Sequence, residues 1–243
     1  MAHAVYDLNE VEHIKPYHNE PETFLDKLAM NGIRLVRGSY DLMTRYNPEK
    51  MKEREWLNRI LFLETVAGVP GMIGGMVRHL KSLRSLENDH GWIHHLLQEA
   101  ENERMHLFIF LSIYNPGVFF RLRVALTQLS FFNAYFFLYM VNPRFCHRFV
   151  GYLEEEAVHT YTKCLEAYDN DLLPVWKSMK PPAEAIDYYG LDPDSATMRD
   201  VIKCVRADEA CHRCVNHHFS DIPFYYDIEM HEIQVSYDGF RDT

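Results

Sequence analysis

A chain of 243 residues can bury a substantial core, in one large domain or two small ones. Its net charge of −10 weighs against nucleic acid as a partner, because phosphate recognition needs basic surface. Five cysteines without the spacing of a secreted scaffold point to reduced thiols.

The first 22 residues hold five acids and one lysine, unlike a signal peptide or an Arg/Ser-rich transit peptide; such a signal is either unneeded or already removed. Periodicity and punctuation then predict helices over 22–45, 48–84, 90–113, 118–140, 143–170 and 196–219. Asn47-Pro48 and Asn142-Pro143 each place an N-cap before a proline at the first helical position. Asn115-Pro116-Gly117 ends one helix and begins the next. Gly68-Val69-Pro70-Gly71 should kink the helix that starts at 48. Residues 171–195, with Pro174, Pro181-Pro182 and Asp192-Pro193, read as a connecting loop. The tail from 221 to 243 is aromatic without helical periodicity.

Charge is unevenly distributed. Residues 107–150 contain no Asp or Glu, yet carry Arg121, Arg123, Arg144 and Arg148 around an apolar run. Within it, 124–141 has no charge at all, which is the short edge of a membrane span. Thr127, Gln128, Ser130 and Asn133 make it less apolar than a typical span. A helix lying in one leaflet, a crossing helix and a buried core helix all fit this pattern.

Glu-x-x-His occurs five times: Glu10/His13, Glu87/His90, Glu103/His106, Glu156/His159 and Glu209/His212. A Glu and a His three apart share a helix face and can hold one metal. Two such pairs, with one Glu from each of two further helices, make a di-iron carboxylate cage. Hard carboxylates bridge and neutralise two cations there, and imidazoles complete the shell. Glu10/His13 sits in a polar, helix-poor segment and Glu87/His90 straddles a turn, so both should be solvated. Glu103/His106 and Glu209/His212 lie in predicted helices. Glu64, alone in ILFLETVAGV, is costly unless paired or metal-bound.

The fourth acid must come from GYLEEEAVHTYT, where neighbours on a helix point about 100° apart. Glu154 shares its face with His147, Gly151, Val158, Tyr161 and Leu165, which is largely apolar. Glu155 shares its face with Arg148, His159, Thr162 and Glu166, which reads as solvated. Glu156 has a mixed face with Tyr152, Thr160 and Lys163. Glu154 is therefore the expected buried acid, and the metal set becomes Glu64, Glu103, His106, Glu154, Glu209 and His212.

LFLETVAGVPGM, AENERMHL, LEEEAVHTYT and RADEACHR resemble, in order, the four iron-binding boxes of the alternative oxidase family, with similarity from about residue 22 to 220. The resemblance implies an all-α fold: a ferritin-like four-helix bundle carrying two iron ions, with interfacial membrane helices near 22–45 and 118–140. Residues 1–21 would then be an N-terminal extension and 221–243 a tail. It implies a homodimeric, monotopic enzyme in one leaflet of the mitochondrial inner membrane, on the matrix face. Such an enzyme oxidises ubiquinol and reduces O2 to water without pumping protons. By the same resemblance the six metal residues are the iron ligands and Tyr161 is the redox-active catalytic tyrosine. Quinol would meet Arg37, Asp41, Arg59, Leu63, Ala157 and Thr160, although the family's usual Trp after that Arg is Gly38 here. Asn102 and Asp208 would orient the ligand histidines from outside.

Other readings share parts of this pattern. An iron-storage bundle would use two Glu-x-x-His pairs without needing an acid-free aromatic helix. A di-iron hydroxylase of quinone biosynthesis or a plastoquinol terminal oxidase would share the cage and the membrane habit, on a bacterial or plastid membrane in some cases. A zinc-binding module could use Cys211-x-x-Cys214 with His217 or His218, but the CxxC is solitary, and Cys204 with Cys211 reads better as a buried stripe.

Overall fold

The computed structural model describes residue 3 and residues 5–222, so the tail from 223 onward lies outside the described residues. Among the described residues the chain is all helical, with no strand. The helices are α1 (Leu8–Glu12), α2 (Phe24–Thr44), α3 (Glu53–Ser85), α4 (Trp92–Leu111), α5 (Val118–Val141), α6 (Pro143–Asp169), α7 (Pro174–Ser178), α8 (Ala183–Tyr189) and α9 (Met198–Asp221).

Local chemistry sets most boundaries. Thr23 accepts from Asp26 N while Asp26 accepts from Thr23 N, a capping box that starts α2. Thr197 and Asp200 do the same for α9. Asn142 caps α6 through Phe145 N, with Pro143 in the first turn as expected. Asn47-Pro48 does not begin a helix. The Asn47 carbonyl closes a separate turn onto Lys50 N and Met51 N, and α3 starts at Glu53 with Glu55 accepting from Lys52 N. The predicted loop 171–195 contains the short helices α7 and α8, each held at its start by the fixed φ of a proline.

Two tight helix pairs, α3 with α4 and α6 with α9, form the four-helix bundle; α2 packs on α6 and α5 packs on α3. In the main core Trp56, Ile60, Leu61, Phe110, Val158 and Val205 are buried together. Each such side chain contributes about 1.5–3 kcal/mol by leaving water. α3 is continuous through Pro70, and Gly71, Gly74 and Gly75 lie at its contact with α4. A Cβ on Gly71 would lie 2.5 Å from the Leu96 carbonyl oxygen, and one on Gly75 would lie 2.8 Å from Leu97 Cδ2. Bare backbone on α3 is what lets α4 come this close.

α3 and α5 are both long and apolar enough to cross a membrane by length and composition. α3 is an inner helix of the bundle, whereas α5 leaves Phe119, Leu122, Leu126, Leu129, Phe137 and Val141 exposed. α2 adds Phe24, Leu28, Leu35, Leu42 and Met43 to the exposed apolar surface. Three polar side chains of α5 have their donors occupied. Ser130 Oγ donates to the Leu126 carbonyl, Asn133 Nδ2 to the Leu129 carbonyl, and Gln128 Nε2 reaches Thr65 O on α3. A helix with its polar atoms so occupied can lie among hydrocarbon chains.

Candidate metal centre

Each of the four bundle helices sends acids inward. α3 supplies Glu64, α4 supplies Glu103 and His106, α6 supplies Glu154, and α9 supplies Glu209 and His212. All six are buried, and they fall into two overlapping groups whose ligand atoms lie within 4.8 Å of one another. Glu64, Glu103, His106 and Glu209 make one group; Glu103, Glu154, Glu209 and His212 make the other. Glu103 and Glu209 belong to both. The structure thus brings together all six residues expected to bind metal, with two carboxylates shared between two neighbouring positions.

The donor set fits cations. Glu64 Oε2, both Glu103 oxygens, His106 Nδ1 and His212 Nδ1 are buried without a hydrogen-bond partner. Such orphans cost about 1–3 kcal/mol each, more when charged. His212 Nδ1 lies 2.8 Å from Glu103 Oε1, but not in hydrogen-bonding geometry. Burial, with the Glu103 carboxylate beside it, pushes Glu64 well above the usual carboxylate range. Burial, with Glu209 and Glu103 alongside, does the same to Glu154. Four carboxylates packed this closely repel one another in a dry site, and two divalent cations would neutralise them. With no thiolate present, oxygen and imidazole donors suit iron or manganese better than a structural zinc.

Tyr161 is buried beside this cluster and its hydroxyl donates to Glu64 Oε1. Burial first, and then the Glu64 charge, raise its pKa well above the ordinary phenol value. Asp208 receives His106 Nε2 at 2.9 Å, which fixes the tautomer and leaves Nδ1 facing the carboxylates. Asn102 donates to Asp208 at 3.0 Å and to Tyr188 at 2.8 Å, while Tyr189 OH reaches Asp208 at 2.8 Å. Asn102 and Asp208 thus both act on the His106 side.

Sequence reasoning missed several polar residues here. Glu99 is buried one helical turn before Glu103, and burial pushes it up to about 7. It accepts from Asn216, whose Oδ1 faces His147 Nδ1 at 3.1 Å; His147 Nε2 in turn faces Tyr139 OH at 3.1 Å. The i,i+4 spacing of Glu99 and Glu103 was the available signal. Tyr6 and His3, both on Asp208, gave none.

The quinol-pocket candidates divide. Arg37 bonds Asp41 Oδ2 at 2.8 Å and Thr160 Oγ1 at 2.9 Å, and Arg59 Nη2 reaches Asp41 Oδ1 at 2.6 Å, so these four form one network. Leu63 and Ala157 stand half-buried on α3 and α6, next in sequence to Glu64 and Glu156. The Arg59 guanidinium stacks 3.9 Å over the Tyr46 ring and 5.0 Å over that of Tyr40. Arg59 Nε and Nη1 and Tyr46 OH are buried without partners. Gly38 is exposed, and a Cβ on it would meet nothing within 4 Å.

A further expectation is overturned at the site. Glu155 is not solvated: it accepts from Asn19 N at 2.8 Å and pairs with His18 at 2.6 Å and His217 at 3.0 Å. Glu156 stays half-exposed and pairs with Arg37 at 3.2 Å. Glu10, His13 and Glu87 are exposed. All five cysteines are free, Cys214 is exposed, and His217 is engaged with Glu155 and Arg148 rather than with the CxxC.

The four-helix cage with two shared carboxylates places the chain among di-metal carboxylate bundles. The profile of the alternative oxidase family matches residues 6–221, and the chain belongs to that family. It is 45% identical over 244 residues to the mitochondrial alternative oxidase of Cryptococcus neoformans var. grubii, covering 91% of this chain and 61% of that protein. Against that of Emericella nidulans it is 44% identical over 243 residues, covering 96% and 69%. Against that of Yarrowia lipolytica it is 47% identical over 230 residues, covering 90% and 65%. The chain therefore spans about three fifths to seven tenths of these curated relatives.

Proposed function

We propose that the protein is a quinol oxidase of the inner mitochondrial membrane, oxidising ubiquinol and reducing O2 to water. The observation that carries this reading is the pair of overlapping Glu/His groups with Tyr161 hydrogen-bonded to one of their carboxylates. Two iron ions would be held by Glu64, Glu103, His106, Glu154, Glu209 and His212, with Glu103 and Glu209 common to the two groups. When bound, that centre supplies the electron-transfer chemistry with O2.

The residues around it do the rest. Asp208 keeps His106 Nδ1 turned inward. Tyr161 would be the catalytic residue: the electron its ring gives up would go to the O2 being reduced, and its proton can pass to Glu64 Oε1, which already accepts its hydrogen bond. Two quinols lose four electrons and four protons in all, and one O2 takes them up as two waters. Arg37, Asp41, Arg59 and Thr160 would hold the quinol head with Leu63 and Ala157 beside it. The unpartnered polar atoms of Arg59 and Tyr46 are suited to its oxygens. The exposed apolar faces of α2 and α5 would seat a homodimer in the matrix leaflet, where a lipid-soluble substrate can enter.

The test is O2 uptake by the purified, iron-loaded protein with ubiquinol and with plastoquinol, in the presence of cyanide. Ubiquinol-dependent, cyanide-insensitive uptake forming water supports the reading. A preference for plastoquinol, hydroxylation of the quinone ring, or iron uptake without quinol oxidation would replace it.

A further inference from the structure

The segment before α2 is strapped onto α9 and α6. Val11 and Ile14 are buried in the main core, and Arg206 Nη2 donates to the carbonyls of Val11 at 2.9 Å and Glu12 at 3.1 Å. Arg199 grips the Glu12 carboxylate with two contacts of 2.6 Å. Farther along, His18 and Asn19 close on Glu155. In the other direction the arm reaches Asp208, the partner of His106. Tyr6 is buried, its hydroxyl donates to Asp208 Oδ1, and His3 Nε2 lies 2.9 Å from the same oxygen.

Asp208 therefore has two differently employed oxygens. Oδ2 faces the bundle and takes His106, Asn102 and Tyr189; Oδ1 faces the arm and takes Tyr6 and His3. A carboxylate pinned on both oxygens cannot rotate about its last bond without breaking hydrogen bonds on both sides. We propose that Tyr6 and His3 are positioning residues for the metal ligand His106, acting through Asp208, so that docking of the arm and loading of the metal are linked. The inference rests on the metal-centre reading above. Linkage is reciprocal: if the docked arm tightens metal binding, bound metal tightens the arm by the same factor. Losing an outer hydrogen-bond partner of a metal-ligating histidine weakens metal affinity about 10- to 100-fold.

The experiment loads the full chain anaerobically with Fe(II) alone and titrates it with a chromogenic chelator, for the wild type, Tyr6→Phe, His3→Ala and the double variant. Tyr6→Phe keeps the ring and its packing, so a folding failure there is not expected; thermal unfolding of the metal-free forms checks this. The inference expects the double variant to release iron at about 10- to 100-fold lower chelator strength and to show an altered diferrous circular dichroism spectrum. It also expects Fe(II) to slow proteolysis within residues 5–20 of the wild type but not of the double variant. Unchanged iron affinity, spectrum and protection would overturn it and show the arm to be only structural, whatever happens to the melting temperature. A wild type that takes up no Fe(II) would instead contradict the metal centre itself.

Discussion

Glu154 reaches the carboxylate cluster, Glu155 receives His18, Asn19 and His217, and Glu156 pairs with Arg37. Glu154→Ala is expected to lose iron and quinol oxidation together, whereas Glu156→Ala should keep its iron; equal iron loss in both, measured by metal analysis, would contradict the assignment. Tyr161→Phe should retain iron while turnover falls about 100-fold or more, since only a proton-bearing oxygen at Glu64 is removed. His147 gives a prediction about pH. Burial holds its imidazole down to about 4 from 6.5, so between those values the unfolded chain binds more protons than the folded one. Stability should fall as pH falls through that window, by about 3 kcal/mol in all, and His147→Gln should flatten this part of the denaturation profile. Helical faces separate Glu154 from its neighbours because the 100° step is a local property of the chain. Glu155 defeated the same reasoning because its partners His18 and Asn19 stand 137 and 136 residues away, where periodicity carries no information.

At the scale of the helix, the α3–α4 contact rests on missing side chains. In an exposed helix, exchanging Gly for Ala adds up to about 1 kcal/mol of stability. At Gly71 the sign should reverse. The new Cβ would stand 2.5 Å from the Leu96 carbonyl, a backbone atom that cannot swing aside. Gly71→Ala should therefore cost about 1–3 kcal/mol in chemical denaturation, and an unchanged midpoint would show that the pair can part more easily than its packing implies. The six long helices were legible through their periodicity and, for α2, α6 and α9, their caps, while Asn47-Pro48 misplaced the start of α3 by five residues. Residues 68–71 were legible as helix punctuation, but whether a glycine bends a helix or admits a neighbour depends on what lies opposite. For Gly71 that is α4, more than 20 residues on in sequence. The short helices α7 and α8 escaped for a related reason: five and seven residues are too few to show a 3.6-residue period.

For the molecule as a whole, the acid-free run was legible as a surface that avoids negative charge, while a leaflet helix, a crossing helix and a core helix remained equivalent in sequence. Contacts distinguish the last of these, since α5 touches α3 on one side and exposes Leu122, Leu126 and Leu129 on the other. Replacing Leu122 and Leu129 together by Glu should release the protein from vesicles in a flotation assay while leaving its iron content unchanged. Co-flotation equal to the wild type would remove α5 from the membrane surface. The cage, the tyrosine and the apolar face all serve one claim, that a di-iron centre here couples a lipid-soluble quinol to O2. Its most direct test is metal analysis together with ubiquinol-dependent O2 uptake on a single purified preparation. The expected result is two irons per chain with cyanide-insensitive uptake that disappears in Glu154→Ala; zinc in place of iron, or iron-loaded protein that consumes no O2 with ubiquinol, would contradict it.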